Sequence, residues 1–384
     1  MEVLEQSFTH IFHSLRSLLS DTTKSALPLD KKFDNSSTEV PRNTEQLLEK
    51  SWWDIAGRLP ENLMKHADYS CENDMLEFIK KDVVPFLGSS RIDSAEPSRH
   101  SFMTDDGGPV ELGWDWGTMP DSKPHIRFAF EPMDSATRSG SDFDIQSIPG
   151  VDIEWFQHFS QIFVINAPTS PDPSDHTSQV FYGFDKRKDS IMTKAYFFPE
   201  IKARMSGQST WEVLLKAINS AAHYSASNTK ALDILSNFLN QEVSALRIEM
   251  LAIDLLKPEA SRIKIYFRSQ ATDFTSVVRI MSLNGLLNTP NFHTGINQLR
   301  DLWTELFDLE NGESLPHVEH RTAGILYYAN FRLGDKVPGV KIYIPVRHYA
   351  RSDRKVLDVL GKFLKNRGQG QFFEDYERAM YDTL

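Results

Sequence analysis

Three short segments carry a lysine followed two residues later by a tyrosine: Lys194-Ala195-Tyr196, Lys264-Ile265-Tyr266 and Lys341-Ile342-Tyr343. A fourth, Arg127-Phe128-Ala129, keeps the cation and has alanine in place of the phenol. The cations recur at intervals of 67, 70 and 77 residues, so each copy of a repeated unit delivers one positive charge. Residues two apart on a strand share a face, which puts each lysine and its tyrosine on one wall and Ile263, Ile265, Val340 and Ile342 on the other. Arg262 and Arg268 fall on the same wall as Lys264 and Tyr266. Taken singly, each of these cations reads as a solvated strand charge. Four at equivalent positions read as a binding wall, because so many like charges packed without an anion repel one another. A multiply charged oxyanion fits, and diphosphate is the natural candidate. Tyr196, Tyr266 and Tyr343 add hydroxyl donors and ring faces that attract carbocations, which suits an allylic diphosphate that ionises.

Glu111 is the candidate base. It lies in the first expected strand pair, residues 109–116 with 125–131, where Glu111, Gly113, Asp115, Arg127, Ala129 and Glu131 share the polar face. A partly buried carboxylate there can take a proton from an aromatic N–H or O–H as the acceptor is alkylated. Asp115 shares the face and competes for that role, and a cross-strand pairing of Glu111 with Arg127 is the structural alternative.

The composition narrows the partners. A net charge of −11 over 384 residues argues against nucleic acid or an anionic membrane surface. The single cysteine, Cys71, excludes an internal disulfide and fits a reducing compartment. No apolar run is long enough to span a bilayer and the first residues lack a signal-peptide pattern, so a cytoplasmic protein is expected. Phosphate-binding glycine loops, nucleophile elbows and zinc-protease motifs are absent. His317 and His320 read as loop residues, and Asp105-Asp106 as a turn without the third acid of a magnesium-binding cluster. No metal and no cofactor are expected, so the cations must balance the diphosphate themselves.

These residues need a scaffold. Residues 1–95 read as helices, with segments over 4–19 and 43–59. From about residue 96 to 384 a unit of two strands and two helices repeats: strands at 179–186 with 191–198, 250–256 with 262–268, and 324–333 with 339–345. Helical stretches over 211–222, 231–245, 275–287 and 353–364 follow them. Short connections imply antiparallel hairpins whose apolar faces pack on helices. An open sheet with a solvated face is the plainer outcome. The recurring phenols and cations favour a barrel whose polar interior is a ligand chamber, with residues 1–384 forming a single domain.

The stretch Ser101-Phe102-Met103-Thr104-Asp105-Asp106-Gly107-Gly108-Pro109-Val110-Glu111, together with the Lys-x-Tyr segments and Ser261-Arg262, resembles the fungal aromatic prenyltransferases of the dimethylallyltryptophan synthase type. The likeness runs from about Trp52 to the C-terminus. It implies an antiparallel ten-stranded barrel ringed by helices (the ABBA prenyltransferase barrel), which moves a dimethylallyl or longer prenyl group from its diphosphate to an aromatic acceptor without an obligatory metal. On that resemblance Glu111 is the base near the acceptor, and Arg127, Lys194, Arg262, Lys264 and Lys341 hold the diphosphate. Tyr196, Tyr266 and Tyr343 shield the allyl cation, and Phe102 and Met103 line the acceptor pocket.

Three departures shape what is expected. Family members carry a lysine on the first strand of the second hairpin, where Gln179, Phe181 and Gly183 stand here, leaving the final deprotonation unassigned. The family pattern continues into a fifth hairpin beyond the point reached at Leu384, so four hairpins and an unpaired edge are expected, with either low solubility or a homodimer covering that edge. Tryptophan-using members place a carboxylate-gripping arginine near positions occupied here by Glu249 and Met250. The acceptor is therefore expected to be a polyketide phenol or an indole derivative without a free carboxylate. Free tryptophan, gripped by Arg247, and a shortened non-catalytic homologue are the alternatives.

Overall fold

A computed structural model describes residues 58–67, 76–87, 101–104, 108–116, 124–133, 143–165, 178–187, 190–242, 244–310 and 313–383. The helix expected over 4–19, most of that over 43–59, Cys71 and the turn at Asp105-Asp106 lie outside them. Eight strands form one sheet in chain order: β1 (Val110–Asp115), β2 (His125–Phe130), β3 (Val180–Arg187), β4 (Ser190–Phe197), β5 (Leu246–Asp254), β6 (Ile263–Ser269), β7 (Ile325–Phe331) and β8 (Gly339–Tyr343). Every neighbouring pair is antiparallel, so all four expected hairpins are present.

Period-two patterning gives this sheet one apolar and one polar face. Phe128, Phe130, Phe184, Phe197, Phe267 and Phe331 are fully buried and point outward to a layer of helices. That layer includes α1 (Arg58–His66), α2 (Glu154–Phe163), α3 (Glu200–Ser206), α4 (Thr210–Asn219), α5 (Lys230–Gln241), α6 (Phe274–Met281) and α7 (Pro290–Phe307). The short α8 (Val346–Tyr349), α9 (Asp353–Lys365) and α10 (Gly370–Thr383) complete it. Side-chain caps start several of them: Ser209 and Glu212 form a reciprocal capping box, and Asp273, Thr289 and Ser352 each accept a backbone N–H of the first turn. The helix expected over 275–287 ends early. Leu283, Asn284 and Gly285 take positive φ there and turn the chain out of the helix.

The sheet curls with its polar face concave, as an incomplete antiparallel barrel. Residues of β8 come close enough to β2 that Tyr343 and Arg127 interact electrostatically. Among the described residues β1 and β8 do not pair with each other, so the curl is not closed by a hydrogen-bonded seam. One irregularity matters for function. Between Ile248 and Met250 a β-bulge at Glu249 shifts the register of β5 against β6. Uninterrupted alternation would put Arg247 on the convex face. The bulge brings it opposite Arg268, on the concave wall that also carries Met250, Ala252 and Asp254. Among the described residues no helix is long and apolar enough to cross a membrane.

Candidate active site

The register places the cation-bearing residues together on the concave wall. Lys194 lies opposite Asp254 on β5, Lys264 opposite Ala252 and Asn330, Lys341 opposite Tyr328, and Arg127 opposite Asp185. The three lysines are almost completely buried, at 5%, 4% and 3% exposure for Lys194, Lys264 and Lys341. Arg262, immediately before β6, completes the group.

The sequence reading required an outside anion to hold these cations together, and the structure corrects it. Three aspartates are built into the cluster. Lys194 Nζ donates to Asp185 Oδ2 at 2.5 Å, Lys264 Nζ to Asp254 Oδ1 at 2.5 Å, and Arg262 Nε to the other oxygen of Asp254 at 2.6 Å. Arg127 bonds Asp115 and reaches Asp185 at 3.4 Å, and His125 stands 3.1 Å from Asp115. Burial opposes charge on Asp185 and Asp254, but the adjoining Lys194 and Lys264 outweigh it and hold both carboxyls well below the usual range. Asp115 pairs with Arg127 and His125 and so serves the cluster as a counterion. Five basic side chains thus share three carboxylates.

Burial acts against the ammonium groups. It pulls Lys264 down to about 7 despite Asp254, with Lys194 and Arg262 adding repulsion. Lys194 is lowered by burial and partly restored by Asp185. Lys341 is lowered most clearly, by burial and then by Arg127, against a smaller pull from Asp115. An arriving dianion or trianion favours the charged form of each.

One step along the strands lies a layer of phenols. Tyr266 is central: its ring centroid is 5.0 Å from that of Tyr328 and 6.1 Å from those of Tyr196 and Tyr343. Tyr266 and Tyr343 are also hydrogen-bonded through their hydroxyls. Tyr328 is a fourth member that the Lys-x-Tyr spacing misses. Alternation along β7 (Leu326, Tyr328, Asn330) is the signal that finds it. Gly183 takes the inward position opposite Lys194, and a side chain there would meet the Tyr196 ring at 3.0 Å.

Glu111 lies on the concave wall of β1, opposite Ala129. The pairing with Arg127 considered from sequence does not form; Arg127 stands opposite Gly113 and takes Asp115. Burial pushes the Glu111 carboxyl up to about 8.

Phe102 and Met103 lie at the same end of the sheet as the start of β1. Ser101 Oγ donates to Glu131 Oε2 at 2.5 Å, and the Phe102 N–H donates to Ser178 Oγ at 3.3 Å. At that end Glu249 accepts from Arg247 Nη2 at 2.7 Å and from Arg268 Nε at 2.6 Å. Burial opposes the Glu249 charge, but Arg268 and Arg247 hold its carboxyl below the usual range. The wall therefore runs from a charged floor, through four phenols, to an end that carries the Arg247, Glu249 and Arg268 group, with Phe102 and Met103 nearby.

The family model described as tryptophan dimethylallyltransferase matches residues 49–379. The chain belongs to the tryptophan dimethylallyltransferase family. It is 33% identical over 345 residues to a 4-O-dimethylallyl-L-tyrosine synthase from Claviceps purpurea, covering 83% of this chain and 77% of that protein. It is 27% identical to a 7-dimethylallyltryptophan synthase from Aspergillus fumigatus, covering 87% and 77%. Among solved structures, AnaPT from Neosartorya fischeri superposes with a TM-score of 0.72 at 22% identity, covering 88% of this chain and 85% of that one. NotF in complex with brevianamide F and DMSPP gives 0.71 at 19% identity, covering 90% and 89%. Membership makes this dimethylallyltransferase-family chain an aromatic prenyltransferase, and the superpositions place its curled sheet in the ABBA barrel fold.

Proposed function

We propose that the protein transfers a dimethylallyl group from its diphosphate to an aromatic amino acid, with Arg127, Lys194, Arg262, Lys264 and Lys341 receiving the diphosphate. The C1–O bond breaks with its electron pair leaving on the diphosphate. The allyl cation then sits among Tyr196, Tyr266, Tyr328 and Tyr343, whose ring faces stabilise it by about 0.5–2 kcal/mol per contact and whose packing keeps water away. The acceptor attacks from the Phe102 and Met103 end, and Glu111 in its ionised form takes the acceptor proton. Products are the prenylated amino acid, diphosphate and the proton. The buried cations supply the charge neutralisation that a metal would otherwise provide, so chelation should leave the reaction intact.

The observation that carries the acceptor class is the β-bulge at Glu249. The expectation of a carboxylate-free acceptor takes Glu249 and Met250 as the residues standing where the family's arginine is; the bulge sets Arg247 opposite Arg268 on the same wall. Arg247, Glu249 and Arg268 together offer donors for an α-carboxylate and an acceptor for an α-ammonium, which is the charge pattern of a zwitterion. The relatives named for tyrosine and tryptophan acceptors lend this support. A neutral phenol or indole remains the second reading, because Glu249 already satisfies both guanidinium groups. Competition decides between them. L-tyrosine or L-tryptophan should show a higher kcat/KM than tyramine or tryptamine; a reversed order would sink the amino-acid assignment.

A further inference from the structure

The loop between α7 and β7 contributes a side chain to the acceptor end that no motif pointed to. Arg321 Nη1 donates to the carbonyl of Phe102 at 3.1 Å, and Nη2 donates to the carbonyl of Thr104 at 2.8 Å. Its guanidinium carbon also lies 4.7 Å from the centre of the Phe102 ring. The Arg321 carbonyl accepts from Arg247 Nη2 at 2.9 Å, and the neighbouring Thr322 carbonyl accepts from Arg268 Nη1 at 2.7 Å. One loop thus joins the 101–104 segment to both arginines around Glu249. The other side of that segment is held through Ser101 to Glu131 and through Phe102 to Ser178.

A planar fork is required for this. Two carbonyls two residues apart are spanned by the two terminal nitrogens of one guanidinium, while its central carbon stands over the Phe102 ring. A lysine ammonium is a point donor that can satisfy one carbonyl and cannot lie flat on the ring. Displacing acceptor-lining residues by an ångström is enough to change which acceptor atom meets the allyl cation.

Resting on the acceptor assignment above, we propose that Arg321 is a positioning residue. It locks the 101–104 segment to the Arg247, Glu249 and Arg268 group, and so fixes both acceptor affinity and the atom that is alkylated. It acts through Phe102 and its neighbours, at the Arg268 end of β6, away from the lysines of the floor.

The test compares Arg321→Lys and Arg321→Gln with the wild type, using dimethylallyl diphosphate and the preferred acceptor. Steady-state constants for both substrates, product isomers by NMR and thermal midpoints are measured. Loss of one or both hydrogen bonds together with the ring contact should raise the acceptor KM by about tenfold or more. A second product isomer should appear, while KM for dimethylallyl diphosphate stays within about twofold. An unchanged acceptor KM and isomer ratio in both variants overturns the proposal. So does an equal rise of both KM values with a fallen midpoint, which marks a general structural role. If the wild type prefers the decarboxylated amines, the acceptor class is wrong, and the same split measured with the amine still decides the role of Arg321.

Discussion

Lys264 Nζ stands 2.5 Å from Asp254 Oδ1, on a carboxylate whose other oxygen takes Arg262. The lysine is partnered before any diphosphate arrives, and its carboxylate lies in the same buried layer. On the proposed function, phosphate oxygens would share these cations with Asp185 and Asp254, and the aspartates would hold the floor together between turnovers. This arrangement moderates an otherwise strong self-repulsion.

Lys264→Ala removes one charge-assisted bond to the diphosphate and leaves Asp254 with Arg262. Bonds to charged groups contribute about 1.5–3 kcal/mol, so KM for dimethylallyl diphosphate should rise roughly 10- to 100-fold. The acceptor KM should move little. Isothermal titration with a non-ionising thiolodiphosphate analogue checks it, and unchanged affinity would remove Lys264 from the cradle.

The pH dependence follows from two groups in the free protein. Catalysis needs Glu111 ionised, which it gains as pH rises through about 8, and Lys264 charged, which it loses as pH rises through about 7. Each required state is the minority form between these values, but their product is largest there, so kcat/KM should peak at pH of about 7 to 8 with only a small fraction of the protein in the productive state. Glu111→Gln should lower kcat roughly 100-fold or more and erase the rising limb, the usual scale for a positioned base. A Glu111→Gln profile that keeps its rising limb would assign that limb elsewhere.

Gly183 tests how tightly the phenols are placed. A Cβ at this position meets the Tyr196 ring at 3.0 Å, so Gly183→Ala must push that ring along the wall. The chamber narrows beside Lys194. The variant should lose kcat/KM with dimethylallyl diphosphate and lose more with a longer prenyl diphosphate; equal losses for both lengths would place the chain elsewhere.

Tyr328 should act through its ring. Tyr328→Phe keeps the aromatic face and should retain most activity, whereas Tyr328→Ala opens the packing on Tyr266 and Tyr343 and admits water. The expected sign is dimethylallyl alcohol, released at the expense of prenylated product in Tyr328→Ala alone. Identical product partition in the two variants would show that the ring does not shield the cation.

Much of this site is readable in the chain because strand periodicity carries it. Lys194, Lys264 and Lys341 with their tyrosines, and the inward-facing Glu111, share a face by alternation alone, and the hairpins place them on one wall. Asp185 and Asp254 are not legible as partners of the lysines because Asp185 reads as the start of the 185–189 connection, although it lies within β3, and Asp254 ends β5. Only cross-strand register brings them against lysines 9 and 10 residues away. The facing of Arg247 is illegible for a different reason. A bulge inserts one residue into the count, and nothing in Glu249-Met250 announces it. Arg321 meets Phe102 across 219 residues, a tertiary contact with no local signature.

The central claim is metal-free prenyl transfer from a cation-held diphosphate to an aromatic amino acid. Its most direct test is purified protein with dimethylallyl diphosphate and L-tyrosine or L-tryptophan in excess EDTA, followed by mass spectrometry for the prenylated amino acid and assay of released diphosphate. The account predicts equal amounts of both products, formed at a rate that added Mg²⁺ does not restore or greatly raise. Absence of the prenylated amino acid in EDTA, with its appearance on adding Mg²⁺, would contradict it.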